Sequence, residues 1–446
     1  MSIVNKKDSV ILFLGDLFFF IFSLWLTLLV RYLNVPSAKI WGDHIVPFSV
    51  LFFVWFFSFY VAGLYKKHTL ILQKSLSNIL FNTQIINITL AVIFFYFIPY
   101  FSIAPKTNLF IYLIISFSMI YIWRIYIFNL ITPNNKENAL LISGGKEAKE
   151  LFYEINNNER YHFIFSHVVD LENETDQNLD KKILEIINEK KITIIVSDIN
   201  HKKVSELIPQ LYELIFEKVQ FINTNELYEF IFDRVPLSMM NYSWFIKNVS
   251  TKNQIAYDFL KRLMDIVIAV FLFIFSLILY PFVILAILLE TKNKPFIVQE
   301  RVGKDNKKIK LYKFRSMTSN DNGKWITDGD NRVTKIGKIM RSSRIDELPQ
   351  LINVLKGDVS LIGPRPDIVG LFKDLSEKVP YYTIRNIVKP GLSGWAQTHQ
   401  EIPPHSIEET KIRLSYDLFY IKNRSLILDV KIAIQTLKTL ISRTGK

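Results

Sequence analysis

The chain of 446 residues contains no cysteine and only seven histidines. The lack of cysteine excludes disulfides, thiolate metal sites and cysteine nucleophiles. The histidines form no cluster with the spacing of a zinc site. Any metal held by this chain would therefore be a hard cation that binds oxygen atoms.

The charge of the chain is unevenly distributed, with an excess of positive charge toward its C-terminal end. The net charge is +13, and from residue 292 onward 29 Lys and Arg stand against 16 Asp and Glu. The rest of the chain is therefore neutral overall. Nucleic-acid binding is one interpretation of such a basic region, but we find no nucleic-acid motif and expect no nucleic-acid partner. An anionic membrane surface or a phosphate-bearing ligand would be attracted equally well.

Half of the residues are hydrophobic, and the first 135 contain four long apolar segments. Each is near the roughly 20 residues that a bilayer core requires. The candidate spans are Val10–Leu29, Ile45–Leu64, Ile79–Tyr100 and Leu109–Ile131. We therefore predict a transmembrane domain of four helices over residues 1–135, with no cleavable signal peptide.

The distribution of basic residues predicts the orientation of this domain. Lys6-Lys7, Lys66-Lys67-His68 and Lys136 would lie on the cytoplasmic side, because the intervening loops carry only Arg31, Lys39 and Lys106. Both ends of the domain would then face the cytoplasm.

Two charged residues fall inside the predicted spans, Asp16 in the first and Arg124 in the fourth. We favour Asp16 as a cap or ion-pair partner within the helices, and Arg124 as a side chain that reaches toward one end of its helix. An ion pathway is the alternative.

Residues 136–250 alternate between strand-like and helical patterns. Strands are predicted at Ala139–Ser143, Phe163–Val169, Ile192–Asp198 and Lys218–Ile222, and helices at Lys146–Asn156, Asp180–Lys190 and Val204–Glu217. This alternation predicts a Rossmann-like α/β domain with a parallel sheet. The turn Ser143-Gly144-Gly145-Lys146-Glu147-Ala148 lacks two glycines of a dinucleotide fingerprint. We therefore favour a structural or regulatory role and keep nucleotide binding as the alternative.

Two adjacent carboxylates, Asp346 and Glu347, stand among the arginines Arg341, Arg344 and Arg365. Helical spacing of apolar residues from Leu348 predicts a helix that ends at Gly357, with Asp346 as its N-cap. The acids would then lie at the positive end of a helix, beside arginines suited to phosphate oxygens. A solvated, capped helix start is the plainer interpretation. Arg365 lies between two prolines, however, which favours a fixed phosphate-binding site and phosphoryl transfer.

The residues around this pair resemble the signature of the bacterial sugar transferases, the monotopic polyprenol-phosphate phosphoglycosyltransferases. The resemblance covers roughly residues 258–440 without an obvious gap. The matching segments are Gln299–Gly303, Tyr312–Met317, Arg341–Gln350 continued to Asp367, Lys389–Gln397 and Tyr416–Ser425. Five motifs in the order of the family are a far more specific signal than any one of them.

The resemblance implies transfer of a sugar 1-phosphate from a UDP-sugar to undecaprenyl phosphate, with release of UMP and a requirement for Mg²⁺. It implies that Asp346 is the nucleophile that carries the phosphosugar, and that Glu347 assists with metal or proton handling. The basic positions expected to hold substrate phosphates are Lys313, Arg315, Arg341, Arg344 and Arg365. The product would enter exopolysaccharide, capsule or O-antigen synthesis. Longer family members share the order of four spans, Rossmann-like domain and catalytic domain.

The uncharged stretch Ile266–Leu289 is long enough to cross the membrane once. A single crossing would place the catalytic part outside, away from cytoplasmic UDP-sugars, and basic residues flank both ends. Pro281 removes one backbone hydrogen bond and favours a bend. We therefore predict a re-entrant helix, residues 259–290, with its break at Pro281, within a mainly α catalytic domain at 251–446. The catalytic domain would lie on the cytoplasmic face of the bacterial inner membrane, in contact with its lipid.

Two further expectations concern the C-terminus and the alternatives to this function. Ser425–Ser442 has an apolar stripe that favours either an interfacial helix or a helix that closes the domain core. A non-catalytic scaffold and an oxidoreductase using the Rossmann-like domain are the competing functions. Retention of the acids and the basic residues argues against the scaffold, and the missing glycines argue against the oxidoreductase. We also keep a homodimer open as the assembly state.

Overall fold

In a computed structural model of the chain, two compact units are found, residues 1–227 and 228–446. The structure describes residues 6–65, 73–97, 105–131, 136–158, 161, 163–173, 179–199, 201–214, 216–217, 219–249, 254–291, 293–318, 333–400 and 404–442.

Four apolar helices form the first part of unit 1, and each predicted span falls on one of them. They are α1 (Lys6–Tyr32), α2 (Ala38–Val61), α3 (Gln73–Phe97) and α4 (Pro105–Ile122). A π-helical turn at Trp123–Ile127 leads into α5 (Phe128–Ile131). All four are long and apolar enough to cross a membrane. The basic loop at 66–68 and the end of the third predicted span, beyond residue 97, lie outside the described residues.

The two charged residues inside the predicted spans, Asp16 and Arg124, pair with each other. Nε of Arg124 donates to Oδ1 of Asp16 over 3.1 Å, and both side chains are fully buried. Nη1 of Arg124 donates to the carbonyl of Leu64 over 2.7 Å. The prediction that Asp16 pairs within the helices is confirmed. The prediction that Arg124 reaches toward a helix end is wrong, because a buried carboxylate offers the guanidinium a stronger partner than a distant interface does.

The second part of unit 1 is the predicted parallel sheet, which is confirmed. Its strands are β1 (Glu137–Ser143), β2 (Phe163–Asp170), β3 (Ile194–Ser197) and β4 (Gln220–Asn223), in the order β2-β1-β3-β4. The helices are α6 (Gly145–Asn156), α7 (Leu179–Lys190) and α8 (Lys202–Glu213), and α9 (Thr224–Phe232) follows β4. Buried Leu, Ile and Val side chains of β1 and β3 fill the core, as expected for a sheet covered on both faces.

The turn between β1 and α6 is crowded by acids, not opened toward a ligand. A Cβ on Gly144 would lie 2.8 Å from Cγ of Glu172 and 3.3 Å from Oδ1 of Asp170. Asp170, at the end of β2, also accepts hydrogen bonds from the N–H of Glu172 (3.1 Å) and the side chain of Asn173 (3.0 Å). Two carboxylates beside a helix N-terminus disfavour a phosphate there. This geometry supports a structural or regulatory role for the sheet domain.

Unit 2 is mainly helical and contains two small sheets. β5 (Phe296–Val302) pairs with β6 (Lys308–Phe314) antiparallel, and β7 (Ser360–Ile362) pairs with β8 (Gly391–Ser393) parallel. Its helices are α10 (Tyr242–Asn248), α11 (Ile255–Thr291), α12 (Lys335–Ser342), α13 (Leu351–Lys356), α14 (Val369–Lys378), α15 (Trp395–His399), α16 (Ile407–Lys422) and α17 (Leu426–Ser442). The main core lies among α14, α16 and α17 and includes Val235 and Phe245 from the start of the unit.

Helix α11 is 37 residues long, and Pro281 lies within it. One face packs on unit 2 along the length of the helix, with Ala269 against the cluster of Leu311 and Val354, and Ile287 against Phe314. The opposite face exposes large apolar side chains, and the helix is the most apolar of the five candidate spans. A re-entrant course stays a prediction.

Pro281 has no N–H, so the carbonyl near Leu277 needs another partner, either the Ser276 hydroxyl or protein packing. The Ser276 hydroxyl donates to the carbonyl of Phe273 over 2.7 Å. A serine in a helix reaches back toward the preceding turn, so a carbonyl that follows it in the chain is out of range.

Of the two roles left open for helix α17 by its sequence, closing the domain core is confirmed, and a place in the membrane interface stays a prediction. Asp429 and Ile432 are completely buried, while Ile427 and Leu437 are more than half exposed. The buried face therefore closes the core of unit 2, and an apolar strip is left on the outside.

Candidate functional site

The acid pair lies in a short 3₁₀ helix, Ile345–Gln350, directly before α13. Arg344 precedes it in a left-handed conformation (φ 55°) and occupies the cap position. The prediction that Asp346 is the N-cap is therefore wrong. The physical reason is Pro349, which has no N–H for an α-helical bond in the first turn. The predicted stop is confirmed, since Gly357 follows α13 with a φ of +89°.

Glu347 is held by three cationic side chains. Its Oε1 accepts from Nζ of Lys313 (3.0 Å) and from Nη2 of Arg365 (2.7 Å), and its Oε2 lies 3.8 Å from Nη1 of Arg344. Burial raises the pKa of the Glu347 carboxyl, but Arg365, Lys313 and Arg344 outweigh it and hold that pKa far below its usual range. Glu347 is therefore ionised at every physiological pH.

Asp346 is also buried, at 8% exposure, but its environment is different. Burial, and then the charge of Glu347, raise the pKa of the Asp346 carboxyl to about 6, against the opposing effects of Lys313, Arg341 and Arg365. Among the hydrogen bonds of the described residues, none is made to the Asp346 carboxylate. A desolvated carboxylate without a partner is more reactive than one held in an ion pair.

Lys313 reaches Glu347 from strand β6, and a buried asparagine aligns the two elements. Nδ2 of Asn353 donates to the carbonyl of Lys310 (2.7 Å), and its Oδ1 accepts from the N–H of Tyr312 (3.1 Å). Asn353 lies on α13 and is fully buried. It therefore sets the register between the strand that carries Lys313 and the helix that follows Glu347. Burial lowers the pKa of the Lys313 amine, and Glu347 opposes this effect.

The structure brings most of the predicted phosphate-binding residues together. Lys313, Arg344 and Arg365 contact Glu347, and the charge of Arg341, in the last turn of α12, acts on Asp346. Arg315 is different, because its Nε donates to the carbonyl of Lys294 over 2.8 Å. That bond is made away from the acid pair, so a phosphate role for Arg315 stays a prediction.

A second group of charged residues, which the sequence did not single out as a site, lies behind Arg365. Asp367 and Asp417 face Arg385 and Arg413 in a buried cluster that includes the hydroxyl of Tyr382. Asp367 and Asp417 belong to the recognised motifs, but Arg385 and Arg413 stand alone in the sequence. Only burial, which a single sequence does not display, distinguishes them from surface arginines.

The donor set at the acid pair fits a hard cation only if a ligand supplies further oxygens. No group of three or more His, Cys, Asp or Glu that could hold a metal is present among the described residues. Both oxygens of Glu347 face cations, which leaves Asp346 as the uncommitted carboxylate. Mg²⁺ is commonly held in this way, by one or two carboxylates together with substrate phosphates and water. The residues therefore fit Mg²⁺ shared with a phosphate ligand.

Fold and site together define a protein with apolar helices long enough to cross a membrane and with a cluster of cationic side chains around a buried acid pair. The family model for bacterial sugar transferases matches residues 256–443, from α11 to α17. An uncharacterised sugar transferase of Bacillus subtilis (strain 168) is 38% identical over 187 residues, which are 42% of this chain and 89% of that protein. The chain belongs to the bacterial sugar transferase family.

Two longer relatives match the same part of the chain. A UDP-N-acetylgalactosamine-undecaprenyl-phosphate N-acetylgalactosaminephosphotransferase of Aeromonas hydrophila is 44% identical over 193 residues, 42% of this chain and 45% of the relative. A UDP-glucose:undecaprenyl-phosphate glucose-1-phosphate transferase of Escherichia coli (strain K12) is 38% identical over 181 residues, 40% of this chain and 39% of the relative. The chain thus matches less than half of the length of these two proteins.

Proposed function

We propose that this protein transfers a sugar 1-phosphate from a UDP-sugar to undecaprenyl phosphate and releases UMP. The observation that carries the proposal is the contrast between the two acids: Asp346 is buried with no hydrogen-bond partner among the described residues, while Glu347 beside it is held by Lys313, Arg344 and Arg365. The activities for which the relatives from Aeromonas hydrophila and Escherichia coli are named support the substrate class.

Asp346 would act as the nucleophile in two displacements. Its carboxylate oxygen attacks the β-phosphorus of the UDP-sugar, and the bond from that phosphorus to the bridging oxygen breaks, so that UMP leaves with that oxygen. The terminal phosphate of the lipid then attacks the aspartyl phosphosugar and restores the carboxylate. One difficult displacement is thereby divided into two easier ones.

The basic side chains would bind and orient the phosphates. Arg365 is 39% exposed at its side chain and contacts Glu347 with Nη2, so the rest of its guanidinium is available to a ligand. Its planar fork can hold two phosphate oxygens at once. Glu347 would fix the cations in place. Its negative charge would also destabilise the ionised form of Asp346 and so make that carboxylate more reactive.

We propose Mg²⁺ as the metal, held by Asp346 and the substrate phosphates, with Glu347 as a second carboxylate if it gives up one of its cations. When bound, Mg²⁺ supplies positive charge that stabilises the pentacoordinate phosphorus and the leaving phosphate.

The contacts of α11 support a catalytic domain that stays on one side of the membrane. Near its start, Nζ of Lys261 pairs with Oδ2 of Asp429 at 2.9 Å. Near its end, the carboxylate of Glu290 accepts from the backbone N–H groups of Lys335 (2.7 Å) and Ile336 (3.1 Å). Both ends are thus bonded to the same folded unit. Between those ends, strand β6 and helix α13 of the same unit pack against the middle of α11, so a single crossing would place them within the roughly 30 Å of the hydrocarbon core.

The proposed membrane course is re-entrant and cytoplasmic, and cysteine labelling tests it, since the native chain has no cysteine. Gln254→Cys and Asn293→Cys flank α11, and Val35→Cys, in the loop between α1 and α2, serves as the control predicted to lie outside. In intact cells a membrane-impermeant maleimide should label only Val35→Cys. Labelling of just one of the two flanking cysteines would mean that α11 spans the membrane.

The function itself is tested with purified protein, undecaprenyl phosphate, Mg²⁺ and a panel of radiolabelled UDP-sugars that includes UDP-glucose, UDP-galactose and the UDP-N-acetylhexosamines. Radiolabel should pass to the lipid from at least one of them, with one UMP released per transfer. Asp374→Asn, which changes an exposed acid of α14, serves as the control for the purified variants. Absence of transfer from the whole panel would overturn the proposal.

A further inference from the structure

A buried ionic cluster lies directly behind the turn that carries Arg365. Asp367 accepts from Arg385, from Nη2 of Arg413 (2.8 Å) and from the hydroxyl of Tyr382 (2.7 Å). Asp417 accepts from Nε (2.9 Å) and Nη2 (2.7 Å) of Arg385. Two carboxylates thus meet two guanidinium groups, and the cluster is neutral overall.

One bond leaves this cluster toward the acid pair. Nη2 of Arg385 donates to the backbone carbonyl of Arg365 over 2.9 Å. Arg385 is almost completely buried, whereas the side chain of Arg365 is 39% exposed and bonded to Glu347 at 2.7 Å. A fixed guanidinium therefore holds the main chain of a residue whose own guanidinium faces the site.

The other side of the same turn is also fixed. The N–H of Val302, at the end of β5, donates to the carbonyl of Asp367 over 2.9 Å. Pro364 and Pro366 restrict the backbone on either side of Arg365. The carbonyl of Pro364 accepts from the N–H of Gly391 over 3.0 Å. The segment from Pro364 to Asp367 is thus held at three carbonyls and one carboxylate, and Arg385 contributes to two of these four contacts.

We propose that Arg385 is a positioning residue for the transfer reaction: it holds the turn from Pro364 to Asp367 so that the guanidinium of Arg365 stays between Glu347 and the incoming phosphate. The inference rests on the proposed function and adds a residue to its machinery. Because the cluster is neutral, Arg385 acts on the site through geometry and not through its charge.

The fork of arginine is essential to this role. One planar group meets Asp367, Asp417 and the carbonyl of Arg365 together, which the single nitrogen of lysine has no means of doing. Arg413 offers a matched comparison, since it bonds Asp367 and Tyr382 in the same cluster. Among the described residues, Arg413 makes no hydrogen bond to Arg365.

The experiment compares Arg385→Lys with Arg413→Lys in the purified full-length protein. Transfer rates, the KM for the UDP-sugar and the affinity for UDP are measured well below the lowest unfolding midpoint. We expect Arg385→Lys to lower kcat/KM by about 10- to 100-fold, as small misplacements in an active site do. Affinity for UDP should weaken in the same variant, and Arg413→Lys should change neither quantity by more than about threefold.

A double-mutant cycle separates positioning from general stability. In an Arg365→Ala background, Arg385→Lys should add almost no further loss, because the guanidinium that it positions is gone. An equal loss in both backgrounds, or equal losses in Arg385→Lys and Arg413→Lys, would overturn the inference. If Arg385→Lys does not fold, Pro366→Ala loosens the same turn and should give the same pattern of kcat/KM and UDP affinity.

The two proposals fail in different ways. If the wild type binds UDP but transfers no sugar phosphate, the proposed function is wrong, and the UDP affinities of Arg385→Lys and Arg413→Lys still test the role of Arg385. If the wild type transfers sugar phosphate and these two variants behave alike, only the proposed role of Arg385 is wrong.

Discussion

Two of the regions that bury charged residues in this molecule balance the charges differently. Among the apolar helices of unit 1, one carboxylate, Asp16, meets one guanidinium, Arg124, which also donates to the carbonyl of Leu64. In unit 2, Glu347 meets three cations while Asp346, the next residue, has no bonding partner among the described residues.

The difference separates a structural pair from a reactive site. A buried ion pair whose two charges neutralise each other leaves no net charge to attract a ligand. Removing only one partner is costly, because the other charge then stays buried and unpaired. The site in unit 2 retains an excess of positive charge and one uncommitted carboxylate, which is what an anionic substrate and a nucleophilic step require. Charge balance, not burial, therefore distinguishes the two regions.

The largest effect should come from removing the uncommitted carboxylate. Asp346→Asn should lower transfer by more than about 1000-fold, because the amide that replaces the proposed nucleophile does not form the covalent intermediate. Its thermal stability at pH 8 should not fall, since the folded-state pKa of about 6 lies above that of an unfolded aspartate and the ionised carboxyl destabilises the fold above that pH.

Glu347→Gln is the matched variant for this comparison. The fold holds the pKa of the Glu347 carboxyl well below its usual range, so the ionised carboxylate stabilises the fold at neutral pH. Glu347→Gln should therefore unfold at a lower temperature than Asp346→Asn. Retention of a tenth of wild-type activity in Asp346→Asn would exclude it as the nucleophile.

Metal removal should have the next largest effect. Excess EDTA should abolish transfer, and added Mg²⁺ should restore it, because Asp346 and Glu347 would hold the cation only together with substrate phosphates, and no larger set of ligands is present among the described residues. Zn²⁺ should not substitute. Full activity in EDTA would remove the metal from the proposal and leave the cations of the site as the only phosphate-binding charges.

The exposed fork of Arg365 is the next point of comparison. Arg365→Lys keeps the charge but loses bidentate binding, so activity should fall by about tenfold or more. Arg315→Lys is the control, since Arg315 bonds the carbonyl of Lys294, and we expect less than about a threefold loss. Equal losses would place Arg315 in the phosphate site and show that any nearby positive charge suffices.

The pH dependence should follow Asp346. Protonation removes the nucleophile, so kcat/KM should fall about tenfold per unit as the pH drops below the pKa of about 6, with Glu347 ionised throughout. Thermal unfolding measured over the same range separates this titration from loss of the fold. A flat profile down to pH 5 would mean that Asp346 is not the titrating group.

The smallest effect on activity should come from the balanced pair in unit 1. Arg124→Met leaves a buried charge on Asp16 and should destabilise the protein by about 3 kcal/mol or more. Replacing both residues by leucine removes the imbalance and should restore most of the unfolding midpoint in detergent, with transfer rates near those of the wild type. A loss of transfer in that well-folded double variant would contradict a purely structural pair.

Much of the fold could be predicted from the sequence. The four apolar spans, the parallel sheet and the stop at Gly357 follow from local patterns, because hydrophobic periodicity and glycine conformations act within a few residues of the chain. The acid pair and its basic neighbours were also recognisable, since the family signature keeps them close in sequence.

The tertiary structure alone decided which charges are matched. Arg124 joins Asp16 across 108 residues, Lys313 joins Glu347 across 34, and Arg385 reaches the carbonyl of Arg365 across 20. No local pattern encodes such pairings, because they depend on which surfaces are brought together when the core forms. The same reason explains the contrast between the two acids: Lys313 from β6 and Arg365 from its turn bond Glu347, and they act on Asp346 only through their charge.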